Sequence, residues 1–386
     1  MKKLFISISI ISAFVILWGA SFSAGAAELK LGYFTSLTGP IAASGEANSR
    51  GFIQAVEEYN AKGGYKGKPI ELVVYDDEAK PAKATELMQR LIHRDKVFGV
   101  IGINHSGAAL ASVEIAQKAN IPVMVTGAGA VEIVHLFDKK PKNYIFGLRM
   151  LYEMQAEKAL RFMVEKRGIK KIGIMFAPHG YGKSCKDSQL RAFEKMGLTP
   201  VGIESFNEPD RDMTPQLSRL RKKGSEAITY FSYPGSSTAL LKSAKKIGWN
   251  VQFFGNWQFS APTFYKIAGA SLADGIPFVQ SFTVDMSPAA ADFSKRVEKR
   301  WGEILFPVNT AQAFDGTNIM IKAMELAGGP QNTEKIRDLI EQTENFKGVT
   351  MSPPRPFSKT KRDSLDFLEA YTMATWDKGS IKIIIE

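Results

Sequence analysis

Apolar positions along this chain recur in two alternating rhythms. Short runs rich in Val, Ile and Phe predict strands at 29–34, 70–75, 97–101, 121–126, 171–176, 200–206, 227–231 and 251–254. Between them lie stretches with helical spacing. Phe52, Val56 and Tyr59 mark a helix over about 45–60, which Gly63-Gly64 ends. Pro81 suits the first turn of a helix reaching about Arg94. Further helices are expected over about 107–119, 182–196, 214–224 and 236–247. Strand–helix alternation predicts parallel sheets covered by helices, and two blocks of it predict two doubly wound α/β lobes. The crossings are expected near Leu148, Gly275 and Phe357. That makes lobe one 27–147 plus 276–357 and lobe two 148–275 plus 358–386, joined by a hinge of about three strands.

The first residues follow a different pattern. Lys2 and Lys3 precede an apolar run from Leu4 to Trp18, broken only by Ser7, Ser9 and Ser12. Small residues follow, with Ala24 and Ala26 in a small-x-small arrangement. This order predicts a cleavable signal peptide over 1–26; the run is shorter than the roughly 20 residues a membrane span needs. No cysteine stands near the cleavage site to carry a lipid, so a soluble periplasmic protein is expected. The single Cys185 can form no internal disulfide, and the core must hold the fold alone. About 360 residues remain, enough for two sizeable domains.

The formal charge is +11, or +9 once Lys2 and Lys3 leave with the leader. Basic residues are scattered or in short clusters such as Arg221-Lys222-Lys223, with no stripe interleaved with aromatics, so nucleic acid is not an expected partner. The four histidines, His93, His105, His135 and His179, lack metal-ligand spacing. Neither a GxSxG elbow nor a Walker loop is present. Gly127-Ala128-Gly129 opens like a dinucleotide fingerprint but has Glu132 where the third glycine belongs. Asp76 and Asp77, adjacent on a strand end, point to opposite faces and make a poor catalytic pair. No metal, cofactor or catalytic residue is expected.

In doubly wound sheets ligands bind beyond the carboxyl ends of the strands. The segments there are 36–44, 76–77, 102–107, 126–131, 178–183, 232–236 and 255–259, rich in Gly, Ser, Asn and aromatics. These segments also carry a family resemblance. Leu31 to Pro40, Gly51-Phe52 through Asn60-Ala61-Lys62-Gly63-Gly64, Gly67 to Leu72, Asp76-Asp77, Val100-Ile101-Gly102 with Ser106, Ala119 to Val123, Tyr181-Gly182 and Gly255 follow in order. Together they resemble the leucine/isoleucine/valine-binding protein family of type I periplasmic binding proteins.

The resemblance implies a monomeric receptor whose lobes close on a small ligand and deliver it to the permease subunits of an ABC importer. It also implies a ligand carboxylate held by a serine and by backbone amides of lobe one. Ser106 matches that serine, and Ala128, Gly129 and Ala130 match the amide segment. Tyr181 and Tyr233 match lobe-two tyrosines of the family; Asn104 and His105 flank Ser106 as further candidates. Amino-acid members carry a threonine where Ala130 stands and a carboxylate, for the ligand ammonium, where Trp257 stands. An ammonium desolvated without a partner costs several kcal/mol, and a cation–π contact returns only about 0.5–2 kcal/mol. The expected ligand is therefore an aromatic or aliphatic carboxylate rather than a branched-chain amino acid. Ser44 replaces an aromatic of the family and is expected to leave room for a longer ligand. A sensory subunit or an exported enzyme on the same scaffold is the alternative.

Overall fold

The computed structural model describes residues 29–208 and 210–384; the expected leader and its cleavage site lie outside them. Among the described residues twelve strands form two sheets. The first contains β1 (Lys30–Thr35), β2 (Glu71–Asp76), β3 (Val100–Gly102), β4 (Val123–Val125) and β5 (Ile145–Gly147), all parallel, in the order β2-β1-β3-β4-β5. The second contains β6 (Ile172–Phe176), β7 (Gly202–Ser205), β8 (Ala227–Tyr230), β9 (Gln252–Gly255), β10 (Phe278–Gln280), β11 (Thr372–Asp377) and β12 (Ser380–Ile383), in the order β12-β11-β10-β9-β8-β6-β7. In it β11 and β12 run antiparallel to their neighbours. The expectation of two parallel-sheet lobes is borne out.

Helices cover both faces of each sheet, which is why the central strands are apolar without alternation. On the first sheet the helices Ala42–Ala61 and Pro307–Ala327 pack so closely that a methyl on Gly51 would lie 2.0 Å from the Thr310 carbonyl oxygen. The opposite face carries Pro81–Gln89, extended by a wider turn to Arg94, and Ser106–Ala119.

The chain passes between the sheets three times. The first passage follows β5, at Leu148. The second follows Gln280 rather than Gly275: Gly275 makes a left-handed turn (φ 81°), but the chain then returns to the same sheet, where Phe278 pairs with Gly255 and with Ala374. The helix beyond, Pro288–Trp301, reaches the first sheet's layer, with Arg300 bonded to Glu57 and Arg296 to Glu58. The third follows Ser364 rather than Phe357. Phe357 packs edge-on against Phe146 at 5.2 Å, and Ser364 N–H still donates to the Gly147 carbonyl. One buried apolar cluster runs from the first sheet through Tyr152 and Tyr181 into the second.

Candidate functional site

The loops beyond the strand ends of both sheets meet around Tyr152, the first residue of the helix Tyr152–Arg161 after the first passage. On the first sheet, β3 ends in Gly102 and a left-handed Ile103 (φ 60°), which turns the chain into the Ser106–Ala119 helix. His105 caps this helix, its Nδ1 accepting from Ala108 N–H at 3.3 Å. Ser106 is thus the first residue of the helix and not its cap. Its hydroxyl is instead 2.8 Å from the Tyr152 hydroxyl, and both side chains are buried. Burial raises the Tyr152 phenol pKa, so it stays protonated. Two hydroxyls sharing one hydrogen bond leave one O–H free to donate to a third atom.

Ala128, Gly129 and Ala130 pass beneath Tyr152. The Tyr152 N–H donates to the Gly129 carbonyl at 3.0 Å, and a methyl on Gly129 would stand 2.5 Å from the Tyr152 ring. The carbonyls of Ala128 and Ala130 are turned to the guanidinium of Arg149, which also pairs with both oxygens of Asp363 at 2.8 and 3.1 Å. Ser44 and Asn104 form a separate knot. Asn104 accepts from Ser36 N–H (3.1 Å) and donates to the Ser44 hydroxyl (3.2 Å), toward which Asn309 also donates (3.5 Å). This polar knot occupies the surroundings of Ser44, where a longer ligand was expected to find room.

The second sheet contributes rings. Tyr181 and Tyr233 stack at 4.9 Å and 12°, and His179 lies nearly parallel to both, 6.0 and 5.8 Å away. Tyr152 meets Tyr181 edge-on at 5.4 Å. The Tyr181 hydroxyl accepts from Asn256 Nδ2 at 2.6 Å. Trp257 follows, its indole edge-on to Phe306 at 5.5 Å and its backbone N–H donating to Gln155 Oε1 at 3.3 Å. Glu208, beyond β7, accepts from the hydroxyls of Ser232 and Ser236 and lies 3.2 Å from His179 Nε2. It thereby ties three loops of the second sheet together.

Ser106, the Ala128–Ala130 segment, Tyr181 and Tyr233 are therefore drawn together through Tyr152; Trp257 joins through Asn256, while Ser44 and Asn104 stand in the adjoining knot. Sequence reasoning missed Tyr152, Asn256, Glu208 and Phe306. Asn256 stood in a flagged strand-end segment beside Trp257. Glu208 had no comparable signal, because its partners lie 24 to 29 positions away.

His105 faces the second sheet's loops. Burial pushes its imidazole down to about 4, and His179 across the junction adds to the shift. The unfolded chain, with an ordinary value near 6.5, binds this proton first. His105 therefore contributes stability that is present above about pH 6.5 and lost as pH falls toward 4, by about 2–3 kcal/mol. Protonation of Nδ1 also removes the cap. Buried Asp315, raised to about 6, acts in the opposite sense, losing stability as pH rises from about 4 to 6. The test is therefore a comparison. His105→Asn, which can still cap, is expected to lose less stability than the parent between pH 7 and 4.5 in urea unfolding; equal losses would remove His105 as the cause.

Comparison with known proteins adds relatives to this geometry. The family model described as periplasmic binding protein matches residues 28–380. A leucine-, isoleucine-, valine-, threonine- and alanine-binding protein of Pseudomonas aeruginosa is 27% identical over 333 residues, 85% of this chain and 86% of that protein. A Leu/Ile/Val-binding protein homolog of Brucella melitensis is 23% identical over 359 residues, 93% of this chain and 94% of its own. A type 1 periplasmic binding protein of Bordetella pertussis superposes with a TM-score of 0.82 at 24% identity, covering 93% of this chain and all of the other. The isoleucine complex of a branched-chain amino acid transporter substrate binding protein of Streptococcus pneumoniae does so at 0.80 and 24%, covering 93% and 99%.

Proposed function

This chain belongs to the periplasmic binding protein family, and from that premise we propose that it is the exported substrate-binding component of an ABC importer of the branched-chain amino acid type. Its ligand is a small organic carboxylate without an ammonium group, held between the two sheets by closure of the three passages and released to the permease subunits. The names of the relatives support the importer assignment.

The observation that carries the ligand assignment is the environment of Trp257. This residue is buried against Phe306 where amino-acid receptors of the family carry an acid. The carboxylate of Glu208, on the Tyr233 and His179 side of the rings, is already held by Ser232, Ser236 and His179. At the opposite end, the spare O–H of the Ser106–Tyr152 pair suits a carboxylate oxygen, with the Tyr181–Tyr233 stack between the two.

A thermal-shift panel of leucine, isoleucine, valine, benzoate, 3-phenylpropanoate and 4-methylpentanoate tests this. Binding to the folded state alone adds about 2.7 kcal/mol at a hundredfold excess over Kd. The acids are expected to raise the melting temperature and the amino acids to leave it unchanged; the reverse order would overturn the ligand assignment. Ser106→Ala is expected to weaken binding of the best acid about tenfold or more, the scale of a hydrogen bond to a charged group, without lowering the melting temperature of the free protein by more than a few degrees. Unchanged affinity would remove Ser106 from the site.

A further inference from the structure

Asn256 follows β9 and precedes the short 3₁₀ turn Trp257–Ser260. At such a position asparagine ordinarily turns its side-chain oxygen back onto the N–H groups of the turn. Here it makes no capping bond. Its Nδ2 donates to the Tyr181 hydroxyl instead, and its Oδ1 has no partner although the residue is fully buried. A buried amide oxygen without a donor is unfavourable, and folded proteins keep few of them.

The segment is firmly held. Gln155 takes the Trp257 N–H, while Ser260 Oγ (2.7 Å) and Gln280 Nε2 (3.4 Å) donate to the Trp257 carbonyl. Tyr181, the group Asn256 does bond, is stacked on Tyr233 and met by Tyr152. The open valence of Asn256 is thus fixed at the wall of the ring cluster that receives the ligand in the reading above, on which this inference rests.

We propose that Asn256 reads the ligand, and that its Oδ1 accepts from an uncharged hydroxyl or amide N–H on it. The ligand class narrows to carboxylates that also carry a neutral donor, hydroxy acids foremost. A hydroxyl needs one acceptor and gets one. An ammonium would bring a full charge and three donors to a neutral amide among aromatic rings, and a plain hydrocarbon acid would leave Oδ1 orphaned.

The test is a calorimetric titration with two sets of probes of matched skeleton. One set is 2-hydroxy-4-methylpentanoate, 4-methylpentanoate and leucine; the other is 3-phenyllactate, 3-phenylpropanoate and phenylalanine. Within the skeleton that fits better, the hydroxy acid is expected to bind about ten- to hundredfold tighter than the deoxy acid and the amino acid. Asn256→Ala is expected to erase the difference between hydroxy and deoxy acids. Asn256→Asp, which puts a charge at the same atom, is expected to move the preference toward the amino acid. Tyr181→Phe leaves the Asn256 oxygen in place and is expected to keep the hydroxy-acid preference. Equal binding of hydroxy and deoxy acids, or an Asn256→Ala ratio equal to the parent's, overturns the role of Asn256 and leaves the carboxylate reading standing. Tightest binding of an amino acid to the parent protein, or no binding of any probe, overturns the carboxylate reading and this inference with it.

Discussion

Replacing Arg149 by methionine is expected to destabilise the protein by about 3–5 kcal/mol in urea unfolding, the range for breaking a buried ion pair by removing one member. Arg149 and Asp363 are both almost wholly buried. Their pairing joins the first passage to the end of the segment that leads into the third, and the same guanidinium anchors the carbonyls of Ala128 and Ala130. Methionine would leave the Asp363 carboxylate unpaired and the Ala128 carbonyl without its donor, while the Ala130 carbonyl would keep only the Ile133 N–H. The double replacement Arg149→Met with Asp363→Leu removes the stranded charge and is expected to recover a large part of the loss, since a buried pair is often replaceable by apolar residues of similar volume. Ligand affinity should not recover in parallel, because the 128–130 segment still lacks its anchor. A loss below about 1 kcal/mol in the single variant would show that the pair is dispensable.

That ion pair also marks where the sequence stopped being readable. The eight expected strands all form, with ends shifted by up to three residues, because continuous apolar runs flanked by turns are a local signal. β10 escaped notice because Phe278–Gln280 is only three residues long and its partners are Gly255 and Thr372–Ala374, the latter almost a hundred positions away. Arg149 and Asp363 are 214 positions apart, and neither sits in a pattern that names the other.

The candidate site divides the same way. Residues just after strands could be flagged, and Ser106, Tyr181, Tyr233 and Trp257 were. Tyr152 lies after a passage rather than after an expected strand end, and only the tertiary fold lays it over Gly129 and against Ser106. Ser44 shows the same limit: the two asparagines bonded to it come from distant segments, and one of them, Asn309, is 265 positions away.

Gly45→Ala sets two effects against each other at that knot. Gly45 lies in the first turn of the Ala42–Ala61 helix, where alanine is intrinsically favoured over glycine by about 1 kcal/mol. Against this, a methyl there would stand 2.0 Å from the Ser36 carbonyl oxygen, 2.6 Å from its carbon and 3.4 Å from Asn104 Nδ2. Ser36 cannot yield alone: its N–H is bonded to Asn104, and its hydroxyl to Asp77 at 2.6 Å. Relief requires the helix start to move away from the loop after β1, stretching the Asn104–Ser44 bond. Overpacking of this kind costs about 1–3 kcal/mol and sometimes more, and a clash with backbone on both sides belongs at the upper end. The net expectation is a loss of about 2 kcal/mol, read as a lower urea midpoint with unchanged slope. Gly235→Ala is the matched control. It also lies in the first turn of a helix, Pro234–Lys246, but a methyl there meets nothing within 4 Å. It should be neutral or stabilising by up to about 1 kcal/mol. If both variants are stabilised alike, helix propensity governs Gly45, and the close approach of the helix to Ser36 does not constrain the site.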